Sequence, residues 1–335
     1  MERAIGVIGA GGWGTALAKL LCEKGDDVTL WCHGEKCCQE IQAKRENISY
    51  LPGILLPPSL KLTRSIREAV AGKKLLFCAV PSHGVRTVMS GAAPHTASQA
   101  TIVCGTKGIE EGSLMPMGEV LSEIFGASSK ENFAFLSGPT FALEVARGLP
   151  AAVTVAALIE PAALEIQDAL STQNFRVYTS RDVVGVQMGG VVKNVIAIAA
   201  GICDGLDLGH NARAALITRG LAEMTRLAVK MGGDPLTLSG LPGLGDLVLT
   251  STGELSRNRR VGVEVARGKG LKEILHEMRM VAEGVRNTRS VYQLAGRLDV
   301  EMPIVEQMYL VLYQSKKPLQ AVRDLMQRSL KAEIE

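Results

Sequence analysis

Apolar positions follow two alternating periods in the first half of the chain. The β-branched run Ala4-Ile5-Gly6-Val7-Ile8 is continuous, and residues 15–24 then repeat Ala16, Leu17, Leu20 and Leu21 at helical spacing. Similar strand-like runs recur at 27–31, 75–80, 101–104, 133–136, 151–157 and 175–178, each separated from the next by a stretch that can form a helix. This alternation predicts an α/β fold, a Rossmann-like doubly wound and mostly parallel sheet. From about Arg181 onward strand signals become rare, and long helices with Ala, Leu, Met and Gly on their faces take over. We therefore expect a dinucleotide-binding part over 1–185 and an all-helical substrate-binding part over 186–335.

The turn between the first strand and helix reads Gly9-Ala10-Gly11-Gly12-Trp13-Gly14. In such a turn Gly9 allows the tight bend, Gly11 lets backbone approach a pyrophosphate, and Gly14 lets helix and strand pack closely. The helix N-terminus then faces the phosphates. Glycine turns also arise for conformational reasons alone, but a strand before and a helix after favour the cofactor reading. At the end of the second strand, where an acidic residue would bond the ribose 2′-hydroxyl of NAD, the chain has Cys32-His33-Gly34. His33 with Lys36 can contact a 2′-phosphate, so NADPH is the expected cofactor, with NADH possible; the alternative is that His33 merely begins a surface helix.

Length and composition fit two packed cores: 335 residues, 47% of them hydrophobic. A formal net charge of +3, without a basic run interleaved with aromatics, gives no case for nucleic acid. The first strand begins almost at the N-terminus, with no signal peptide, and no uncharged apolar stretch is long enough to span a bilayer; a cytoplasmic protein without stable membrane insertion is expected. The seven cysteines are scattered and odd in number, which argues against a disulfide framework. Cys32, His33, Cys37 and Cys38 lack the spacing of a structural zinc site, and no metal is expected. His83, His95 and His210 read as loop or surface residues.

Chemistry concentrates at three places. Lys107 follows a buried strand within Gly105-Thr106-Lys107-Gly108, at the sheet edge where ligands bind in this architecture; as a loop cation it can reach a phosphate or a substrate oxygen, or simply be solvated. Lys193 is the one cation of an almost uncharged helix over 186–203. Burial lowers a lysine pKa, which suits proton exchange with a carbonyl or alcohol, but such a charge needs a partner. Asp246, in Gly243-Leu244-Gly245-Asp246, is the candidate; a purely structural ion pair is the alternative. Finally, Ser256-Arg257-Asn258-Arg259-Arg260 begins a helix, so hydroxyl, amide and guanidinium groups can converge on an anion. Arg257 and Asn258 can share a side, while Arg259 or Arg260 faces solvent or the other half.

With these motifs in order, the whole chain resembles the NAD(P)-dependent glycerol-3-phosphate dehydrogenases of the bacterial biosynthetic type. Leu136-Ser137-Gly138-Pro139-Thr140-Phe141-Ala142, Lys193-Asn194 and Ala214-Ala215-Leu216-Ile217-Thr218-Arg219-Gly220 carry the resemblance together with the glycine turn, the segment Gly243 to Leu247 and the segment Ser256 to Arg260. The resemblance implies reversible reduction of dihydroxyacetone phosphate to sn-glycerol 3-phosphate, feeding glycerophospholipid synthesis. It implies Lys193 as catalytic acid or base, with Asp246 and Lys107 beside it, and Gly138, Thr140, Ser256, Arg257 and Asn258 as substrate contacts. Gly12, Trp13, His33, Tyr50, Ala142, Val281 and Glu283 match its cofactor-side positions, joined by Lys107 and Arg257. The family often has serine at positions 12 and 140 and alanine at 242, so Gly12 removes one hydroxyl from the phosphate site and Pro242 stiffens the turn carrying Asp246.

Two other readings compete. A 3-hydroxy-acid dehydrogenase of the same two-domain group needs only a carboxylate clamp, whereas Ser256-Arg257-Asn258 suits a dianion. A non-catalytic dinucleotide sensor explains the glycine turn but leaves Lys193 and Asp246 without a purpose. The apolar helix faces of the second half permit a homodimer, although periodicity does not separate a dimer surface from a core.

Overall fold

A computed structural model describes residues 3–278, 282–330 and 332–333. Among these residues ten strands form in chain order: β1 (Ala4–Ile8), β2 (Asp27–Trp31), β3 (Glu46–Asn47), β4 (Leu51–Leu55), β5 (Lys61–Thr63), β6 (Leu75–Cys78), β7 (Thr101–Cys104), β8 (Phe133–Ser137), β9 (Ala151–Ala157) and β10 (Phe175–Ser180). Eight of them make one sheet in the order β10-β9-β8-β7-β6-β1-β2-β5. Every adjacent pair is parallel except β8 with β9, which run antiparallel. The α/β architecture expected from the alternating periods is the one observed. Strands β1, β6, β7 and β8 are buried almost throughout because helices cover both faces, which is why their sequences are continuous apolar runs.

The chain winds outward from β1 through β2 to β5, then crosses back to β6 on the other side of β1. That reversal opens a crevice at the carboxyl ends of β1 and β6, the place where open α/β sheets bind ligands. The glycine turn leaves β1 into this crevice.

Beyond β10 the described residues are helical, and they gather around one long helix, Val183–Gly205, against which Gly209–Lys230, Arg257–Ala266 and Glu283–Leu298 all pack. It is long and apolar enough to cross a bilayer by length and composition, although Lys193 and Asp204 interrupt its apolar run. In the fold it is a core helix, with nearly every residue from Gly185 to Cys203 buried. Small residues are what let its neighbours come close: a Cβ on Gly201 would lie 1.9 Å from the Arg259 carbonyl oxygen, and one on Gly262 2.0 Å from that of Ile198. The backbones of the two helices touch at this crossing, and Arg257-Asn258 at the start of one is thereby set beside Lys193-Asn194 on the other.

Candidate active site

The helix Gly12–Glu23 starts at Gly11, which has extended backbone and no side-chain cap, so its first amides are left for a ligand. A Cβ on Gly11 would meet nothing within 4 Å, whereas one on Gly14 would lie 1.9 Å from the Gly9 carbonyl oxygen. Gly11 thus presents open backbone, Gly14 closes the helix onto the strand, and Gly9 sits at φ +115° in the bend. These features fit a dinucleotide pyrophosphate.

Two neighbours flank position 12, and one of them crowds it. The turn after β3 places the Tyr50 carbonyl oxygen 2.8 Å from where a Gly12 Cβ would be, so a larger residue at 12 requires that turn to move. Ala142, first in the helix Ala142–Ala146, lies on the same side. The buried Asn47 of β3 holds the arrangement: its Nδ2 donates to the Ala10 carbonyl oxygen (2.9 Å) and to Thr15 Oγ1 (2.8 Å), and its Oδ1 accepts from Tyr50 N–H (3.2 Å). Asn47→Ala strips buried polar groups of partners, and we expect it to destabilise the protein by about 1–3 kcal/mol. Urea unfolding without cofactor checks this, and an unchanged midpoint would contradict it.

Trp13 leans across the crevice, with its Nε1 2.9 Å from a Cβ built on Gly105. Two residues later comes Lys107, whose backbone carbonyl accepts from Asn287 Nδ2 (3.0 Å) in the helix Glu283–Leu298. Asn287 carries no signal in the sequence. The Lys107 ammonium donates to the Gly138 carbonyl oxygen (3.2 Å) at the end of β8, where Thr140 Oγ1 also donates (3.1 Å).

Lys107 and Lys193 meet on one carboxylate. Lys107 Nζ lies 2.5 Å from Asp246 Oδ2 and Lys193 Nζ lies 2.6 Å from Asp246 Oδ1. Lys193 is 6% exposed and Asp246 1%. The pairing of Asp246 with Lys193 is the expected one; its sharing with Lys107 is not, because it joins a strand-end loop to a helix 139 residues away. Thr250, one turn after Asp246 on the helix Asp246–Thr252, completes the cluster by accepting from Lys193 Nζ (2.7 Å). An i, i+4 scan from Asp246 could have found it. Two cations on one anion leave a net positive charge, suited to an anionic substrate or a developing oxyanion.

Burial pushes the Lys193 pKa down to about 8; Asp246 pulls it up, while Lys107 and Arg257 push it down further. For Asp246, burial alone would raise the pKa, but the two lysines outweigh it and hold the carboxyl below its ordinary value. The cluster therefore holds an ionised carboxylate beside a lysine poised to exchange its proton near neutral pH.

A wide helical turn delivers Asp246. Residues Leu241–Gly245 form a π-type turn in which Gly245 N–H reaches back to the Gly240 carbonyl oxygen (3.1 Å). Pro242 lies at its start, buried against Gly189 of the central helix. Such turns are rare and often occur at functional sites.

In the arginine segment, Ser256 caps the helix Arg257–Ala266, its Oγ accepting from Arg259 N–H (3.2 Å). Asn258 is buried: Nδ2 donates to Asn194 Oδ1 (2.8 Å) and Oδ1 accepts from Gly284 N–H (3.0 Å), leaving one amide hydrogen for a ligand. Arg257 stays exposed at the helix start, Arg259 turns back to Asp204 (2.6 Å), and Arg260 faces solvent. Glu283 reaches the other half of the chain, accepting from Ser82 N–H (2.9 Å) and Ser82 Oγ (2.6 Å). His33 is exposed just beyond β2 with its ring 5.6 Å from that of Trp31. Val281 lies outside the described residues.

Residues 4–163 match the N-terminal part, and residues 182–323 the C-terminal part, of the NAD-dependent glycerol-3-phosphate dehydrogenase family. A glycerol-3-phosphate dehydrogenase (NAD(P)+) of Geobacter sp. (strain M21) is 55% identical over 333 residues, 99% of each chain. Its counterpart in Citrifermentans bemidjiense is 54% identical over the same length and the same share of each chain. Among solved structures, glycerol-3-phosphate dehydrogenase from Coxiella burnetii superposes with a TM-score of 0.93 at 41% identity, covering 98% of this chain and 99% of that one.

Proposed function

The chain belongs to the NAD-dependent glycerol-3-phosphate dehydrogenase family, and from that premise we propose that it reduces dihydroxyacetone phosphate reversibly to sn-glycerol 3-phosphate, preferring NADPH to NADH. The observation that carries the reading is the convergence of Lys107 and Lys193 on the buried Asp246, within reach of the crevice that the glycine turn enters.

Bound nicotinamide supplies the hydride that reaches C2 of the ketone. As that carbonyl becomes an alkoxide, Lys193 donates a proton to the oxygen and Asp246 fixes the direction of its ammonium group. Lys107 stabilises negative charge on the same oxygen. Arg257, with Ser256 and the spare amide hydrogen of Asn258, holds the phosphate away from the chemistry, and this remote binding orients the reacting carbon. The anion cradle at the start of the helix Arg257–Ala266 supports a phosphate ester over a simple carboxylate. His33, with no carboxylate replacing it at the end of β2, supports NADPH. The resemblance that supports the reaction also supports a cytoplasmic role in supplying glycerophospholipid synthesis.

Mixing the purified protein with NADPH and dihydroxyacetone phosphate should give a rapid fall in NADPH absorbance, and unphosphorylated dihydroxyacetone should give almost none. Equal turnover with both ketones would remove the role given to Arg257; turnover with neither, alongside intact cofactor binding, would return the case to a hydroxy-acid enzyme or a sensor.

A further inference from the structure

Strand β5 is not legible in the sequence, yet it brings a second cation to the place where cofactor choice is made. It runs parallel to β2 at the sheet edge, with Thr63 opposite Trp31, and Cys32 N–H donates to the Thr63 carbonyl oxygen (2.9 Å). The next residue, Arg64, has its backbone carbonyl held by Trp31 Nε1 (3.1 Å). On the β2 side stands His33, whose ring packs near the same indole. One tryptophan therefore supports both Arg64 and His33 at the carboxyl ends of neighbouring strands.

The Arg64 guanidinium pairs with Glu35 Oε2 at 3.3 Å, and both side chains are more than half exposed. Such a solvated pair is weak and readily exchanged. A phosphate dianion offers the planar fork two charge-assisted hydrogen bonds in place of one loose contact. Glu35 also sits in the first turn of the helix Glu35–Lys44, close to the site, where its charge opposes an incoming phosphate.

We propose that Arg64 is a specificity-determining residue for the cofactor: it binds the ribose 2′-phosphate of NADPH together with His33, and Glu35 competes for it in the free protein. This rests on the NADPH reading above and adds to it a named cation and a named internal competitor. The carboxylate that is missing directly after β2 is thus present a little further along, at Glu35 beyond His33 and Gly34, but engaged by Arg64.

The test compares binding of adenosine 2′,5′-bisphosphate and of AMP by isothermal titration calorimetry, so that it does not depend on turnover. Wild-type protein is expected to bind the bisphosphate more tightly. Arg64→Ala should weaken bisphosphate binding about tenfold to a hundredfold, the range of a charge-assisted pair, and leave AMP unchanged. Glu35→Gln should strengthen bisphosphate binding severalfold, again without effect on AMP. If wild type prefers the bisphosphate and Arg64→Ala keeps that preference, Arg64 is not the determinant while the NADPH reading stands. If wild type shows no preference and Glu35→Gln creates none, both fail. Equal weakening of both ligands by Arg64→Ala would mark a structural role and also overturn the proposal.

Discussion

Lys193→Met is expected to lower the turnover of dihydroxyacetone phosphate reduction by about two to four orders of magnitude, the scale on which general acids act, with a much smaller change in NADPH affinity. Methionine matches most of the apolar stem in a helix that is buried on nearly all sides, so the fold should persist, and circular dichroism verifies that it does. The pH profile gives a second readout. Burial sets the Lys193 pKa at about 8, so the protonated form needed for reduction is lost as pH rises through that value, while the neutral form needed to accept a proton in the reverse reaction is gained. Wild-type kcat for reduction should therefore fall above about pH 8 and kcat for oxidation of glycerol 3-phosphate should rise over the same interval. Near-normal turnover of Lys193→Met would end the assignment.

Asp246→Asn should be nearly as severe, for a different reason. The carboxylate is the shared counter-ion of two lysines, one of them almost fully buried. Removing its charge leaves both cations facing one another without compensation, a change that costs about 3–5 kcal/mol when a buried pair is broken on one side. Thermal unfolding should register that loss. Kinetically, the influence that raises the Lys193 pKa disappears while burial and Lys107 continue to depress it. The reduction limb should then move below about pH 8, and part of the lost turnover should return at lower pH. A variant with wild-type stability and an unmoved limb would show that Asp246 is not the counter-ion of Lys193.

The main strands of the sheet are readable because burial on both faces makes them continuous apolar runs bounded by glycine or polar turns. Strands β3, β4 and β5 are not: β3 has two residues, β4 contains Pro52-Gly53, and β5 has three residues with Lys61 exposed. None has room to display a period. The consequences are local but chemical, since β3 carries Asn47 and β5 leads into Arg64. Within the site, Lys193 stands out as a lone cation in an apolar helix, and Asp246 as an acid in a glycine turn. The contact between Asp246 and Lys107 is invisible because it depends on how a strand-end loop meets a helix far along the chain. Asn287 gives no hint either, for an asparagine inside a helix looks the same whether its amide faces water or a distant carbonyl.

Synthesis proceeds from the N-terminus, and the strands can form while later helices are still missing. Yet the carbonyl of Lys107 is held by an amide that arrives 180 residues later, and Ser82 is held by a carboxylate 201 residues away. A polypeptide stopped short of Glu283 can carry the whole glycine turn and both lysines that meet on Asp246 and still lack the grip that sets one of them in place. The loop that carries Lys107 thus draws part of its support from the last third of the chain, and its final position is set only once the helix Glu283–Leu298 has packed against it.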